Sequence, residues 1–140
     1  MKVLALTTFH QAGLEQYGQR MIDTFAQNVD EQIDLIVYTE DCTPTNPQPT
    51  RIQIVDAKAV LPKLNAFKAK WKDEPKANGI CPPEIKARRP RDWHKKFKWD
   101  AIRFANKVYA VYDACTKTEY DLVIWIDGDT VCHSPITQDR

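Results

Sequence analysis

The chain has 140 residues, of which 43% are hydrophobic and 28% charged. That is enough for one domain with a real core, and the composition is neither that of a disordered nor of a fibrous protein. No apolar run approaches the roughly 18 residues a membrane span requires, and the opening Met-Lys-Val-Leu-Ala-Leu-Thr-Thr is too short an apolar stretch for a secretory signal. A cytoplasmic protein without a membrane span is the expectation. Net charge is only +1, yet residues Pro62 to Lys107 hold 14 Lys/Arg against 5 Asp/Glu, an excess of +9, and the remainder holds 6 against 14, or −8. Such asymmetry is read either as an anionic partner or as solvated helix faces and a solvated loop. Cys42, Cys81, Cys115 and Cys132 form no CxxC pair, which argues against zinc and redox motifs. Cys115 and Cys132 sit in apolar patterns and read as buried thiols.

In chain order, Lys2 to Thr8 reads as a first strand and Phe9 to Gly13 as a loop. Leu14, Tyr17, Met21 and Phe25 recur at helical spacing, so a helix is predicted over 14–28. Gly18 inside it costs helix stability relative to alanine and implies close packing on a neighbour. Ile33 to Tyr38 reads as a second strand and Ile52 to Val55 as a third, with a proline-bearing loop over Thr39 to Thr50 between them. Val60, Leu64, Phe67 and Trp71 predict a second amphipathic helix, with Pro62 in its first turn. About 72–92 reads as a long basic loop with Pro75, Pro82, Pro83, Pro90 and the cluster Lys86, Arg88, Arg89, Arg91. Asp92 is the expected N-cap of a third helix over about 93–117, whose inward stripe would be Phe97, Ala101, Phe104, Val108, Val111 and Cys115. Leu122 to Ile126 then reads as a strand buried on both faces. Strands alternating with helices imply an α/β, Rossmann-like three-layer sandwich with a mostly parallel sheet, here a single domain over 1–140.

The last strand runs into Asp127-Gly-Asp129. Carboxylates at the end of a buried strand are costly unless a positive group sits on them, and a divalent cation takes carboxylate oxygens readily. In a parallel sheet Thr7, Thr8 and Phe9, together with Tyr38, Thr39 and Glu40, end on the same edge as Asp127 and Asp129, which forms a nucleotide-type crevice. His133 beside it reads as a surface histidine.

The segment Glu119-Tyr-Asp-Leu-Val-Ile-Trp-Ile-Asp-Gly-Asp-Thr-Val resembles the DxD segment of glycosyltransferases with the GT-A fold. The preceding Phe97-Lys-Trp-Asp-Ala-Ile-Arg-Phe-Ala-Asn-Lys-Val-Tyr-Ala resembles the basic helix those families place before it. The likeness is loose over most of the chain and specific from about Phe97 to Pro135. It implies a nucleotide-diphosphate-sugar donor and a divalent metal, manganese or magnesium, with Asp127 and Asp129 as metal ligands. It also implies that Arg103 and Lys107 stand near the phosphates, Lys107 being the better match. The acceptor, whether glycan, lipid or protein, is left open. In that fold the DxD segment lies near the middle of the domain, whereas eleven residues follow Asp129 here, so the expectation is a donor-binding half. Two other readings compete. Asp127-Gly-Asp-Thr-Val131 also fits the DxDx[TV] motif of haloacid-dehalogenase phosphohydrolases, with Asp127 as nucleophile and Asp129 as general acid. That family, however, carries the motif on its first strand. The other rival is a non-catalytic nucleic-acid module built on Lys86 to Lys98, with Trp93, Phe97 and Trp99 for stacking. It is the weaker, because helical spacing turns Phe97 toward the core.

Overall fold

The computed structural model describes residues 1–88 and 100–138. The chain divides into two compact units, one formed by residues 1–61 and 110–140, the other by residues 62–109.

The first unit is built on a four-stranded, all-parallel sheet in the order β3-β2-β1-β4. β1 (Val3–His10) lies between β2 (Ile33–Glu40), with Val3 opposite Ile33, and β4 (Leu122–Trp125), with Val3 opposite Leu122. β3 (Ile52–Asp56) flanks β2. A first α-helical turn, α1 (Gln11–Gly13), a π-helical segment (Leu14–Gly18) and α2 (Gln19–Asn28) follow β1 as one helical run. Met21, Ile22 and Phe25 of α2 form one core cluster with Val3, Ala5, Ile33, Leu35, Val37 and Ile52. These sheet residues alternate along their strands, as a covered face demands. Burying each of the larger of these side chains fully stabilises the fold by about 2 kcal/mol. On the opposite face Leu4, Leu6, Ile36 and Tyr38 are buried, as are Ala110 and Ala114 from the C-terminal half of α6 (Ala101–Cys115). The buried Tyr38 phenol donates to the Asp113 carboxylate on that helix at 2.6 Å. Helices thus cover both faces of a parallel sheet, the three-layer α/β arrangement the sequence implied.

Two residues complete this unit. A Cβ on Gly18 would stand 2.9 Å from the Phe9 ring, so glycine is needed for the close approach of helix and strand. Arg51, nearly fully buried, donates to the carbonyls of Ala26, Asp30 and Ile33 at 3.0–3.1 Å and to that of Phe25 at 3.4 Å. Its guanidinium also lies over the Phe25 ring. At the end of α2 it adds a charged donor to the Phe25 and Ala26 carbonyls, which also accept from the Val29 amide and the Gln48 side chain, and it complements the helix dipole there.

The second unit holds α4 (Pro62–Trp71), a 3-10 turn (Pro75–Asn78), α5 (Pro83–Ala87) and the N-terminal part of α6; the short α3 (Ala57–Val60) precedes it in the first. Part of the stretch read as a loop over 72–92 is therefore helical, because Pro75 and Pro83 each open a short helix, where proline is tolerated. The expected N-cap Asp92, and Phe97 in the expected stripe, lie outside the described residues. Asp100 occupies the capping position, its carboxylate accepting from the Arg103 amide at 2.9 Å.

Several expectations are corrected. β1 and β2 run two residues further, to His10 and Glu40, because their ends pair with each other. The helix begins at Gln11, where the His10 imidazole Nδ1 accepts from the Gly13 amide at 2.9 Å. Of the second helix's apolar stripe only Leu64 is fully buried, while Val60 and Trp71 are exposed. Along α6 the inward face is alanine and asparagine (Ala105, Asn106, Ala110, Ala114), while Phe104, Val108, Tyr112 and Cys115 are exposed. Cys132, by contrast, is buried as expected. β4 is not buried on both faces: it is an edge strand, with Leu122 and Ile124 exposed.

Candidate functional site

β2 lies on one side of β1 and β4 on the other, so the strand order reverses between β1 and β4. In open α/β sheets the crevice outside the C-terminal strand ends at such a switch point is where ligands bind. The chain places there Thr7 to His10 from β1 and Ile126 to Asp129 from the segment that follows β4. Ile126 continues the pairing beyond β4, its amide donating to the Leu6 carbonyl at 2.9 Å. The backbone then turns, the Thr130 amide donating to the Asp127 carbonyl at 3.0 Å.

Gly128 lets this turn sit down on its neighbours. A Cβ there would lie 3.3 Å from the rings of Phe9 and Tyr17 and 3.4 Å from the Thr8 carbonyl oxygen. The turn therefore rests on the end of β1 and on the start of the helical run, and it holds the flanking Asp127 and Asp129 out to solvent, both exposed. Asp127 accepts from the Trp125 indole Nε1–H at 2.6 Å, which fixes one carboxylate oxygen in place.

Beyond the turn the chain is tied down along α2. The Cys132 amide donates to the Thr24 hydroxyl, and the Asn28 side-chain amide donates to the Cys132 carbonyl. Ile136 exchanges backbone bonds with Asn28 and Asp30 at 2.8 Å. The turn is thus held on both sides.

The expected site residues are brought together in part. Thr7 is fully buried, and its hydroxyl has no hydrogen-bond partner among the described residues. Thr8 is half-buried and donates its hydroxyl to the Tyr38 carbonyl at 2.8 Å. The Phe9 ring is buried beneath Gly18 and Gly128, so it shapes the floor under the turn. Glu40 stands at the end of β2 opposite His10, half-buried, and Asp41 after it adopts a left-handed backbone with φ 52°. Arg103 and Lys107 lie on the exposed side of α6 within the second unit, and His133 is exposed. Two residues of this edge were not foreseen as part of the site. His10 caps the helical run, and Tyr17 borders the turn. The spacing of Tyr17 with Met21 marks only a helix face, and nothing in it announces the contact with Gly128.

Among the described residues no group of three or more His, Cys, Asp or Glu is gathered for a metal. Two solvent-facing carboxylates on one turn are, however, the donor set on which magnesium or manganese sits when phosphate oxygens and water complete the shell. Two such carboxylates fit an ion that takes its remaining ligands from outside the protein, and not a caged structural one. Comparison with known proteins returns no match to a protein-family model, a curated protein or a solved structure.

Proposed function

We propose that the chain is the donor-binding portion of a metal-dependent glycosyltransferase of the hexosyl type, taking a nucleotide-diphosphate sugar. The observation that carries this reading is the Asp127-Gly128-Asp129 turn at the β1/β4 switch point. Asp129 and Asp127 would hold manganese or magnesium, whose charge stabilises the departing diphosphate. Asp127 is oriented for this by Trp125. The helical run that begins at Gln11 opens at the same edge. The positive end of its dipole favours a phosphate there, although the Gly13 amide is already capped by His10. Glu40, at the neighbouring strand end, stands where a ribose or base would extend along the sheet edge. The motif ends the fourth strand and not the first, which favours the transferase over the phosphohydrolase.

Calorimetric titration of UDP-, GDP- and CDP-sugars, with and without manganese, tests the reading. One of them is expected to bind in a manganese-dependent way, and Asp129→Ala is expected to weaken that binding at least tenfold, about 1.4 kcal/mol. Absence of any nucleotide-diphosphate binding, or binding unchanged in Asp129→Ala, rules the proposal out.

A further inference from the structure

The division of charge follows the division of structure. The unit of residues 62–109 contains 14 Lys/Arg and 5 Asp/Glu, and the other unit contains 6 and 14. A unit with an excess of +9 attracts polyanions whatever its fold. Within it, the end of α4 and the following 3-10 turn form one knot. The Asn78 side-chain amide donates to the carbonyls of Trp71, Lys72 and Glu74 at 3.2, 2.9 and 2.9 Å. Gly79 takes the left-handed conformation, φ 72°, and the Ile80 amide returns to the Pro75 carbonyl at 2.9 Å. This knot presents two large apolar side chains to solvent, Trp71 (38% exposed) and Ile80 (58% exposed). Lys70 lies with its Nζ 4.9 Å from the Trp71 ring centre, and Lys72 and Lys76 stand in the same knot, both exposed.

We propose that this knot docks the protein on an anionic lipid surface, with Trp71 and Ile80 entering the headgroup boundary and the lysines remaining among the lipid phosphates. An exposed indole with an ammonium group over it, and an exposed aliphatic side chain in the same knot, match an interface that is apolar below and negatively charged above. A nucleic acid would use the indole for stacking but has no use for an exposed isoleucine. Asp73 and Glu74 share the knot, so long-range attraction comes from the unit as a whole, while the knot supplies the apolar anchor. No helix among the described residues is long and apolar enough to cross a membrane. The proposal does not rest on the donor-binding reading.

Sedimentation of the full chain with sucrose-loaded phosphatidylcholine vesicles, with or without about 30% phosphatidylglycerol, tests it. Binding is expected only to the anionic vesicles, with release when salt rises from roughly 0.05 M to 0.5 M. Trp71→Ala combined with Ile80→Ser is expected to lower the partition coefficient about tenfold with an unchanged far-ultraviolet spectrum. Should that pair unfold the chain, Lys70→Gln with Lys72→Gln and Lys76→Gln gives the second reading, a similar loss of vesicle binding. Failure to sediment with anionic vesicles, or sedimentation unchanged in a folded variant, overturns the proposal. So does a single-stranded oligonucleotide that competes the protein off the vesicles and binds the Trp71/Ile80 variant as well as the parent.

Discussion

At the scale of single residues, Arg51 shows how one side chain can close a fold. Its guanidinium donates to main-chain carbonyls from α2, the turn before β2 and the first residue of β2, and through Nε to the Gln48 side chain, and it is nearly inaccessible to water. Desolvation pulls its pKa down from the usual arginine value, partly offset by Glu31, Asp34 and Asp30. Arg51→Met keeps much of the apolar stem but removes the charged donor from those carbonyls, of which Phe25, Ala26 and Asp30 keep a second donor in the Val29 amide, the Gln48 side chain and the Ile33 amide. Urea denaturation is expected to show a loss of about 2–3 kcal/mol, since hydrogen bonds from a charged group contribute about 1.5–3 kcal/mol. A loss under about 1 kcal/mol would mean that water replaces the guanidinium freely. Arg51 was invisible to sequence reading because it sits beside a proline-bearing loop and its partners are carbonyls, which carry no sequence signature. Asp127 and Asp129 were legible because an apolar run ending in two acids around a glycine is rare without a reason. What the sequence did not reveal is that Phe9 and Tyr17 form the bed under Gly128.

At the scale of elements, α6 and β4 are the instructive cases. Phe104, Val108 and Cys115 recur at helical spacing, and that periodicity alone designates them as the inward face. The chain instead buries the stripe of Ala105, Asn106, Ala110 and Ala114. Small residues let a helix approach closely, and the bond from Tyr38 to Asp113 fixes which side of its C-terminal half meets the sheet. Periodicity finds a face, but it does not choose between two apolar faces on one helix. A direct check is the pair Phe104→Gln with Val108→Lys. Because both side chains are more than half exposed (60% and 63%), the thermal midpoint is expected to move by no more than about 2–3 °C, since exposed substitutions change stability within about 0.5 kcal/mol each. If the stripe were core, the same pair would cost several kcal/mol and the midpoint would collapse. β4 was misread for a related reason. Five apolar residues in a row resemble a doubly covered strand, but this strand is at the sheet edge. Glu119 and Asp121 before it and Asp127 and Asp129 after it place like charges where a second edge would approach, which discourages edge-to-edge pairing.

At the scale of the whole molecule, two phenol–carboxylate bonds tie distant segments of the first unit to β2. Tyr38 donates to Asp113 on α6, and Tyr120, just before β4, donates to Asp34 at 2.7 Å with the Lys2 ammonium over its ring. Burial, and then the carboxylate each phenol serves, push both pKa values up: Tyr120 to about 12 and Tyr38 further in the same direction. The unfolded chain releases these protons near pH 10, whereas the folded chain keeps them. Above pH 10 the native state therefore binds more protons than the unfolded state, and stability falls as pH rises. Chemical denaturation followed from pH 9 to 12 is expected to show that loss, full stability being present below about pH 10. Tyr38→Phe with Tyr120→Phe should be less stable at pH 8 yet flatter across the alkaline range, and an equally steep fall in the double variant would assign the effect to other groups.

The sequence by itself determined the strand–helix alternation, the parallel α/β class, the three N-terminal strands to within two residues, the need for glycine at position 18 and the pair of carboxylates at the end of the last strand. Those follow from local physics: side-chain periodicity, β-branching, turn chemistry and the cost of an acid beside an apolar run. Only the tertiary structure decided that β4 is an edge strand, that α6 turns its alanines inward, that the Asp127–Asp129 turn lies on Phe9 and Tyr17, and that charge and structure divide at the same place. Each of these depends on which distant residues meet, and a single sequence records the requirement of each partner but not the pairing.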